Sequence, residues 1–338
     1  MSIKSDDVQD VSKNFSYFDV LKRIFPWKGD TVKEVIRKIL FLIAVVVLAV
    51  SSGLIFDYFY QNYKNKKLYD EMNDFVPKMA ELIDPEIDNS SEEGELNRYV
   101  EDLRKFFCNT DLIGYISIDN TDISYPVMQS PNEELKDYYL DHNPKREEAK
   151  AGSIYMDWRD HIEPQDRSDN LIIYGHEMHD GSMFGKLDKY KKCDYFMDHP
   201  VVTLMSRYDV VKYKIFGAFY ADSGEKGYEC DFYYTGPVDF ESEEEYFNYI
   251  NQIKKRTLVN NNVDMKYGDE LLILSTCATN YYNEARFVVA ARRIRKGEDE
   301  LAGTQNCTEN TNVYMPLEWY KKYGGQGSFD ESLFIPYN

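Results

Sequence analysis

The 338-residue chain has few of the residues that most often build metal and redox sites. It has five cysteines (Cys108, Cys193, Cys230, Cys277 and Cys307), and no two form a CxxC pair, which argues against a structural zinc site. The count is odd, so at least one thiol is free unless the chain pairs with another; whether the remaining four pair is left open by the sequence. Histidine is equally scarce, at His142, His161, His176, His179 and His199. His176 and His179 in HEMH would share a face if the segment were helical, but HExxH, the two-histidine-plus-base zinc motif, is absent. A surplus of basic residues is missing too. The net charge is −19. Residues 1–56 carry eight Lys or Arg against six Asp or Glu, so the rest of the chain stands at −21. Phosphate binding needs clustered Lys and Arg, so nucleic acid is not an expected partner. Internal repeats are also absent.

The composition is that of a folded protein, 43% hydrophobic with 29 tyrosines. One stretch bears on the compartment. Ile39–Phe56, ILFLIAVVVLAVSSGLIF, runs 18 residues without a charge, about the minimum that spans a bilayer as a helix. Lys22, Arg23, Lys28, Lys33, Arg37 and Lys38 precede it, while Asp57 and then Lys64, Lys66 and Lys67 follow. The positive-inside rule therefore predicts a single-pass anchor in the cell membrane, with the N-terminus cytoplasmic and residues 57–338 outside. A cleaved signal peptide ending near Ala49-Val50-Ser51 and a buried soluble helix are the alternatives. The expected organisation is a cytoplasmic tail over 1–38, an anchor over 39–56 and a helical stalk over 57–110. A β-domain over 111–296 and an extension over 297–338 complete it.

Within the stalk, LYDEMNDFVPKMAELID and ELNRYVEDLRKFF place apolar residues three and four apart, interrupted by Pro77 and by polar Asp88–Glu95. From Leu112 the period changes to two. GYISIDNTDISYPVMQ reads as a hairpin turning at Asp119-Asn120. Further strands are expected at Gly152–Met156, Leu171–Tyr174, Val201–Met205, Val210–Tyr220, Glu270–Ser275 and Arg286–Ile294. About eight short strands favour a closed antiparallel barrel or a sandwich. One helix, Phe240–Arg256, interrupts the series, acidic at its start and basic at its end as the helix dipole favours.

Three chemically capable side chains fall at strand ends. Cys277 closes the apolar run of LLILSTC, Arg286 opens ARFVVAARR, and His176 follows LIIYG. A thiolate is the nucleophilic form of cysteine and needs a nearby base or cation. If the three ends share one rim, His176 can exchange a proton with Cys277 and Arg286 can hold an oxyanion. The bland alternative is a buried thiol, a solvated loop histidine and a surface arginine.

At these residues the sequence resembles the sortases, cysteine transpeptidases of Gram-positive cell surfaces. YGHEM resembles the family's histidine motif and GSMFGKLDKY the segment after it. LSTC resembles the cysteine motif, and ARFVVAARR supplies the arginine at Arg286. IGYISIDNTDISYPVMQ and GSIYMD match the early strands. The likeness covers roughly residues 110–296. It is strongest to class B, which carries N-terminal helices and a long helix between the sixth and seventh strands, where Asp239–Arg256 falls. The resemblance implies a mostly β fold, the eight-stranded sortase-type β-barrel, and no cofactor or metal. It implies that Cys277 attacks the threonine carbonyl of an LPxTG- or NPxTx-like sorting signal on a surface protein. His176 would protonate the leaving amine, and Arg286 with the backbone N–H of Ala278 would hold the oxyanion. An amine of a peptidoglycan precursor, or alternatively a pilin lysine, would resolve the thioacyl enzyme. Ser275 matches a groove-lining position; Tyr281 and Tyr282 either border the groove or simply pack. A catalytically silent membrane-anchored binding module and a metal-dependent hydrolase are the competing readings. The 297–338 extension is outside the family pattern; packing on the barrel is expected over a separate domain, and its role is left open between covering the groove, docking a partner and packing alone.

Overall fold

The computed structural model describes residues 17–73, 93–223, 232–325 and 329–338. The chain divides into two units, residues 1–64 and 65–338. In the first, helix α1 (Tyr17–Ile24) precedes the start of helix α2 (Val32–Asn73). Thr31 and Glu34 form a capping box at that start: the Thr31 N–H donates to Glu34 Oε2 at 2.9 Å, and the Glu34 N–H to Thr31 Oγ1 at 3.4 Å. Lys38 ties the turn together, donating to the Lys22 carbonyl and to the Asp30 carboxylate, each at 2.6 Å. The apolar run of α2 exposes its side chains, Leu48 at 68% and Phe56 at 72% among them. Water does not tolerate a patch of that size, and the helix is long and apolar enough to serve as a membrane anchor. It continues without a break from the apolar run to Asn73. The expected interruption at Pro77, and most of the polar Asp88–Glu95 stretch, lie outside the described residues.

In the second unit, helix α3 (Glu93–Phe107) leads into a closed barrel. Its strands in chain order are β1 (Leu112–Ile118), β2 (Ser124–Gln129), β3 (Ile154–Met156), β4 (Asn170–Tyr174), β5 (Val201–Ser206), β6 (Val210–Asp222), β7 (Leu271–Cys277) and β8 (Ala285–Arg293). Around the barrel they run β1-β2-β3-β4-β7-β8-β6-β5, and β5 pairs back onto β1. The hairpin turns where expected, with Asn120 at φ 59°, a conformation asparagine tolerates. The barrel is not purely antiparallel, however: β2–β3 and β4–β7 are parallel. Parallel neighbours need a crossover connection, supplied for the first pair by residues 130–153 and their 3-10 turns Glu133–Leu135 and Tyr138–Leu140. Alternating patterns and continuous apolar runs mark the strands but carry no information on direction. Residues 176–183, where HEMH might have been helical, form no helix; a bridge joins Glu177 to Met183.

Strand β7 is buried on both faces, which is why LLIL is a continuous apolar run. Leu272 and Leu274 point into the barrel core with Val127, Leu171, Phe287 and Val289. Leu271 and Ile273 face a second apolar layer with Ile172, Phe216, Val288 and Ala290. That layer is closed by helix α5 (Glu243–Arg256), following the short helix α4 (Cys193–Asp198) in chain order. Its Tyr246, Tyr249, Ile250 and Ile253 pack on the sheet. It lies between the sixth and seventh barrel strands, and the Ser242 side chain caps it by accepting from the Glu245 N–H at 3.2 Å.

The 297–338 extension packs on the barrel. Cys307 is disulfide-bonded to Cys193, 114 residues earlier. Thr308–Glu309 pairs with Val259–Asn260, and helix α6 (Leu317–Tyr323) follows. Cys108 and Cys277 are not in disulfides, and Cys230 lies outside the described residues.

Candidate active site

Strand register places the reactive groups. Cys277, the last residue of β7, is the cross-strand partner of Arg286 on β8. On its other side β7 runs parallel to β4, with Ser275 opposite Tyr174. The Gly175 N–H donates to the Ser275 carbonyl at 3.1 Å, which carries the ladder one step past β4. His176 therefore leaves its strand at the level of Cys277. Directly opposed residues project to the same face of a sheet, and Cys277, His176 and Arg286 all line one open cavity of about 500 Å³. The three groups sit on the ends of three adjoining strands.

The imidazole is held. His176 Nε2 lies 2.7 Å from the Leu140 carbonyl oxygen. A carbonyl only accepts, so Nε2 carries the hydrogen and Nδ1 is left to exchange a proton. Leu140 ends the 3-10 turn of the β2–β3 crossover, and Gly152 supports it from behind. Gly152 sits at φ 53°; a Cβ there would stand 2.6 Å from the Tyr139 carbonyl oxygen and closer still to that of Leu140.

A polar wall faces this trio. Arg159 grips Asp157 with two hydrogen bonds, 2.8 and 2.9 Å, and donates to the Thr235 and Gly236 carbonyls at 2.7 and 3.1 Å. Burial pushes the Asp157 carboxyl up, but the Arg159 hydrogen bonds outweigh it and hold it below the usual range. Tyr174 donates to Asp157 at 2.9 Å. Burial, with the Asp157 charge behind it, keeps the Tyr174 phenol well above its ordinary value and so neutral. Tyr155, Tyr233 and Tyr234 complete this side. None of these six was singled out from the sequence. Asp157 ends GSIYMD just past its strand, Arg159 lies two residues further on, and Tyr174 lies two residues before His176, so position at a strand end was the available signal.

The remaining expected residues divide. Ser275 lines the cavity, its hydroxyl 2.9 Å from that of Tyr234. The Ala278 N–H is occupied: it donates to the Ala285 carbonyl at 2.9 Å, and Arg286 Nη1 donates to the same oxygen at 3.0 Å. Both expected oxyanion donors thus meet on the carbonyl of the first residue of β8. Tyr281 and Tyr282 are not among the cavity's lining residues. Tyr281 instead packs against Tyr220 and Trp319, because the loop after Cys277 turns this ring toward the extension.

A closed mixed barrel that brings a thiol, an imidazole and a guanidinium to one rim has the architecture of a cysteine acyl-transfer enzyme. A model of the sortase domain matches residues 116–294. Sortase B of Listeria monocytogenes is 32% identical over 266 residues, covering 78% of this chain and 99% of the relative. Sortase B of Staphylococcus aureus is 28% identical over 188 residues, 56% of this chain and 72% of the relative. A solved Staphylococcus aureus sortase B–substrate complex superposes with a TM-score of 0.56 at 25% identity, covering 71% of this chain and 99% of that one. The chain belongs to the sortase family of cysteine transpeptidases and is most similar to its class B members.

Proposed function

We propose that this chain is anchored in the cell membrane and transfers surface proteins to an amine of a peptidoglycan precursor. It would first cleave after the threonine of an LPxTG- or NPxTx-like sorting signal. The observation that carries the reading is the common register of Cys277, Arg286 and His176 at one cavity. His176 Nδ1 takes the proton of the Cys277 thiol, the resulting thiolate attacks the threonine carbonyl carbon, and the oxygen takes the negative charge. Arg286 and the Ala278 N–H serve that oxyanion once the Ala285 carbonyl gives them up. His176 Nδ1–H donates its proton to the departing amine as the C–N bond breaks, which leaves a thioester. The acceptor amine then attacks, His176 removes its proton, and a new amide forms as the thiolate leaves.

Topology follows from charge and redox chemistry. Eight basic residues precede the apolar run, favouring a cytoplasmic N-terminus. The Cys193–Cys307 disulfide suits an oxidising exterior for the barrel. Holding enzyme and membrane-tethered substrate in one plane raises their effective concentration.

The test uses the full chain in detergent with a peptide bearing either signal, with and without an amine acceptor. Mass spectrometry is expected to find an acyl adduct on Cys277, cleavage after threonine, and amide product when the amine is present. Cys277→Ala is expected to lower turnover by about 10³-fold or more. Cleavage that persists in that variant rejects the assignment.

A further inference from the structure

The extension from Gly297 onward lies past the residues that the family model matches, yet it reaches the loop that joins the two central site residues. That loop, residues 278–284, connects Cys277 to Ala285 and Arg286. It has little internal support: the Ala278 N–H bonds to Ala285, the Tyr281 N–H to Ala278 and the Ala285 N–H to Tyr282. The Cys277–Arg286 pair closes the β7–β8 ladder, and terminal pairs fray first.

Tyr281 is held from both sides. From the barrel, Tyr220 meets it edge-to-face with ring centroids 4.7 Å apart and its hydroxyl 2.8 Å from that of Tyr281. From helix α6, Trp319 lies 4.8 Å and Tyr323 6.5 Å from the same ring. Trp319 also stacks on Tyr220, at 5.2 Å and 29°, so one indole joins the loop to β6. The neighbour of Tyr220, Ala221, is the register partner of Arg286. The Tyr281 carbonyl accepts from the Lys322 ammonium and, at 3.2 Å, from the Tyr323 hydroxyl. Helix α6 is moored independently of these rings. The disulfide and the strand pair fix the segment before it. Arg256 lies over Tyr314 at 4.7 Å, and Lys254 over Tyr337 at 3.8 Å.

We infer that the extension is a strap that holds the Cys277 and Arg286 strand ends in register, with Trp319 as a positioning residue acting through Tyr281. The inference rests on the assignment of Cys277 and Arg286 as the reacting pair. Aromatic contacts of this geometry restrict a loop without touching substrate, and small misplacements remote from the chemistry cost rate.

The experiment compares full-length wild type, Trp319→Ala and Trp319→Phe in detergent. It reads steady-state cleavage of the sorting-signal peptide and amide hydrogen exchange of residues 279–284. Trp319→Ala is expected to lower kcat about tenfold with KM changed less than about twofold. Exchange should quicken in 279–284 while β4 stays protected, and Trp319→Phe should restore both readings. An unchanged kcat overturns the inference, whatever the loop exchange does. So does exchange that quickens across the whole barrel, which would make Trp319 a general support of the fold. If the alanine variant does not fold, Lys322→Met with Tyr323→Phe removes both donors to the Tyr281 carbonyl and keeps the ring stack. A weaker change in the same direction supports the strap, and none overturns it. Should wild type fail to acylate Cys277, the proposed function falls, while exchange still reports whether the strap holds the loop.

Discussion

At the scale of single residues, the site depends on groups that carry no reactive atom. The Leu140 carbonyl fixes which nitrogen of His176 bears the hydrogen, and Gly152 leaves room for that carbonyl. Gly152→Ala would place a Cβ against two carbonyl oxygens in a left-handed conformation. It is expected to cost about 1–2 kcal/mol in stability and, by turning the Leu140 carbonyl, to lower kcat/KM about tenfold or more. Thermal melting and peptide cleavage measure the two effects. A melting shift with unaltered kcat/KM would show that the carbonyl does not orient the imidazole. Cys277, His176 and Arg286 were legible because each ends, follows or opens an apolar run. Asp157 and Arg159 were not, because their meaning lies in each other and in the Thr235 and Gly236 carbonyls more than 70 positions away.

At the scale of elements, helix α5 shows how local chemistry and tertiary burial agree. Its first turn holds Glu243, Glu244 and Glu245 and its last Lys254, Lys255 and Arg256, complementing the dipole. Its apolar residues close the outer layer on β7 and β8. Ser242→Ala removes the cap and is expected to cost about 1 kcal/mol, a melting shift of about 2–4 °C, with peptide turnover unchanged. A melting point equal to wild type would mean that packing alone fixes this end. Strands were readable to within two residues at most ends, since burial on one or both faces writes itself into alternation or into continuous apolar runs. Direction was not readable, and the two parallel pairs were the result.

For the whole molecule, the far end of the barrel is closed by charge. Lys214 and Arg292, neighbours in register on β6 and β8, are both fully buried. Glu298 from the start of the extension lies 2.7 Å from Lys214 Nζ and 2.6 Å from Arg292 Nη2. The Asp299 and Ala302 carbonyls take the remaining Lys214 donors. Glu298→Gln leaves two buried cations short of a carboxylate and is expected to cost about 3 kcal/mol, measured by thermal melting. The Arg292 hydrogen bond, followed by that of Lys214, holds the Glu298 carboxyl far below its ordinary value of 4.5. A depressed folded-state pKa means that protons favour the unfolded chain. This stabilisation is therefore present above pH 4.5 and lost as the pH falls below it. Wild type should lose melting temperature between about pH 5 and about pH 3 more steeply than Glu298→Gln; equal slopes would assign the acid response to other carboxylates.

The sequence by itself determined the periods, the charge polarity of helix α5, the apolar run of α2 and the strand-end positions of a thiol, an imidazole and a guanidinium, because each depends on neighbours within a few residues. Only the tertiary structure decided which strands run parallel, that Cys193 meets Cys307, that Glu298 bridges two buried cations, and that Trp319 reaches Tyr281. These are pairings across long stretches of chain. A residue's periodicity fixes the face it presents, and closure of the barrel selects what that face meets.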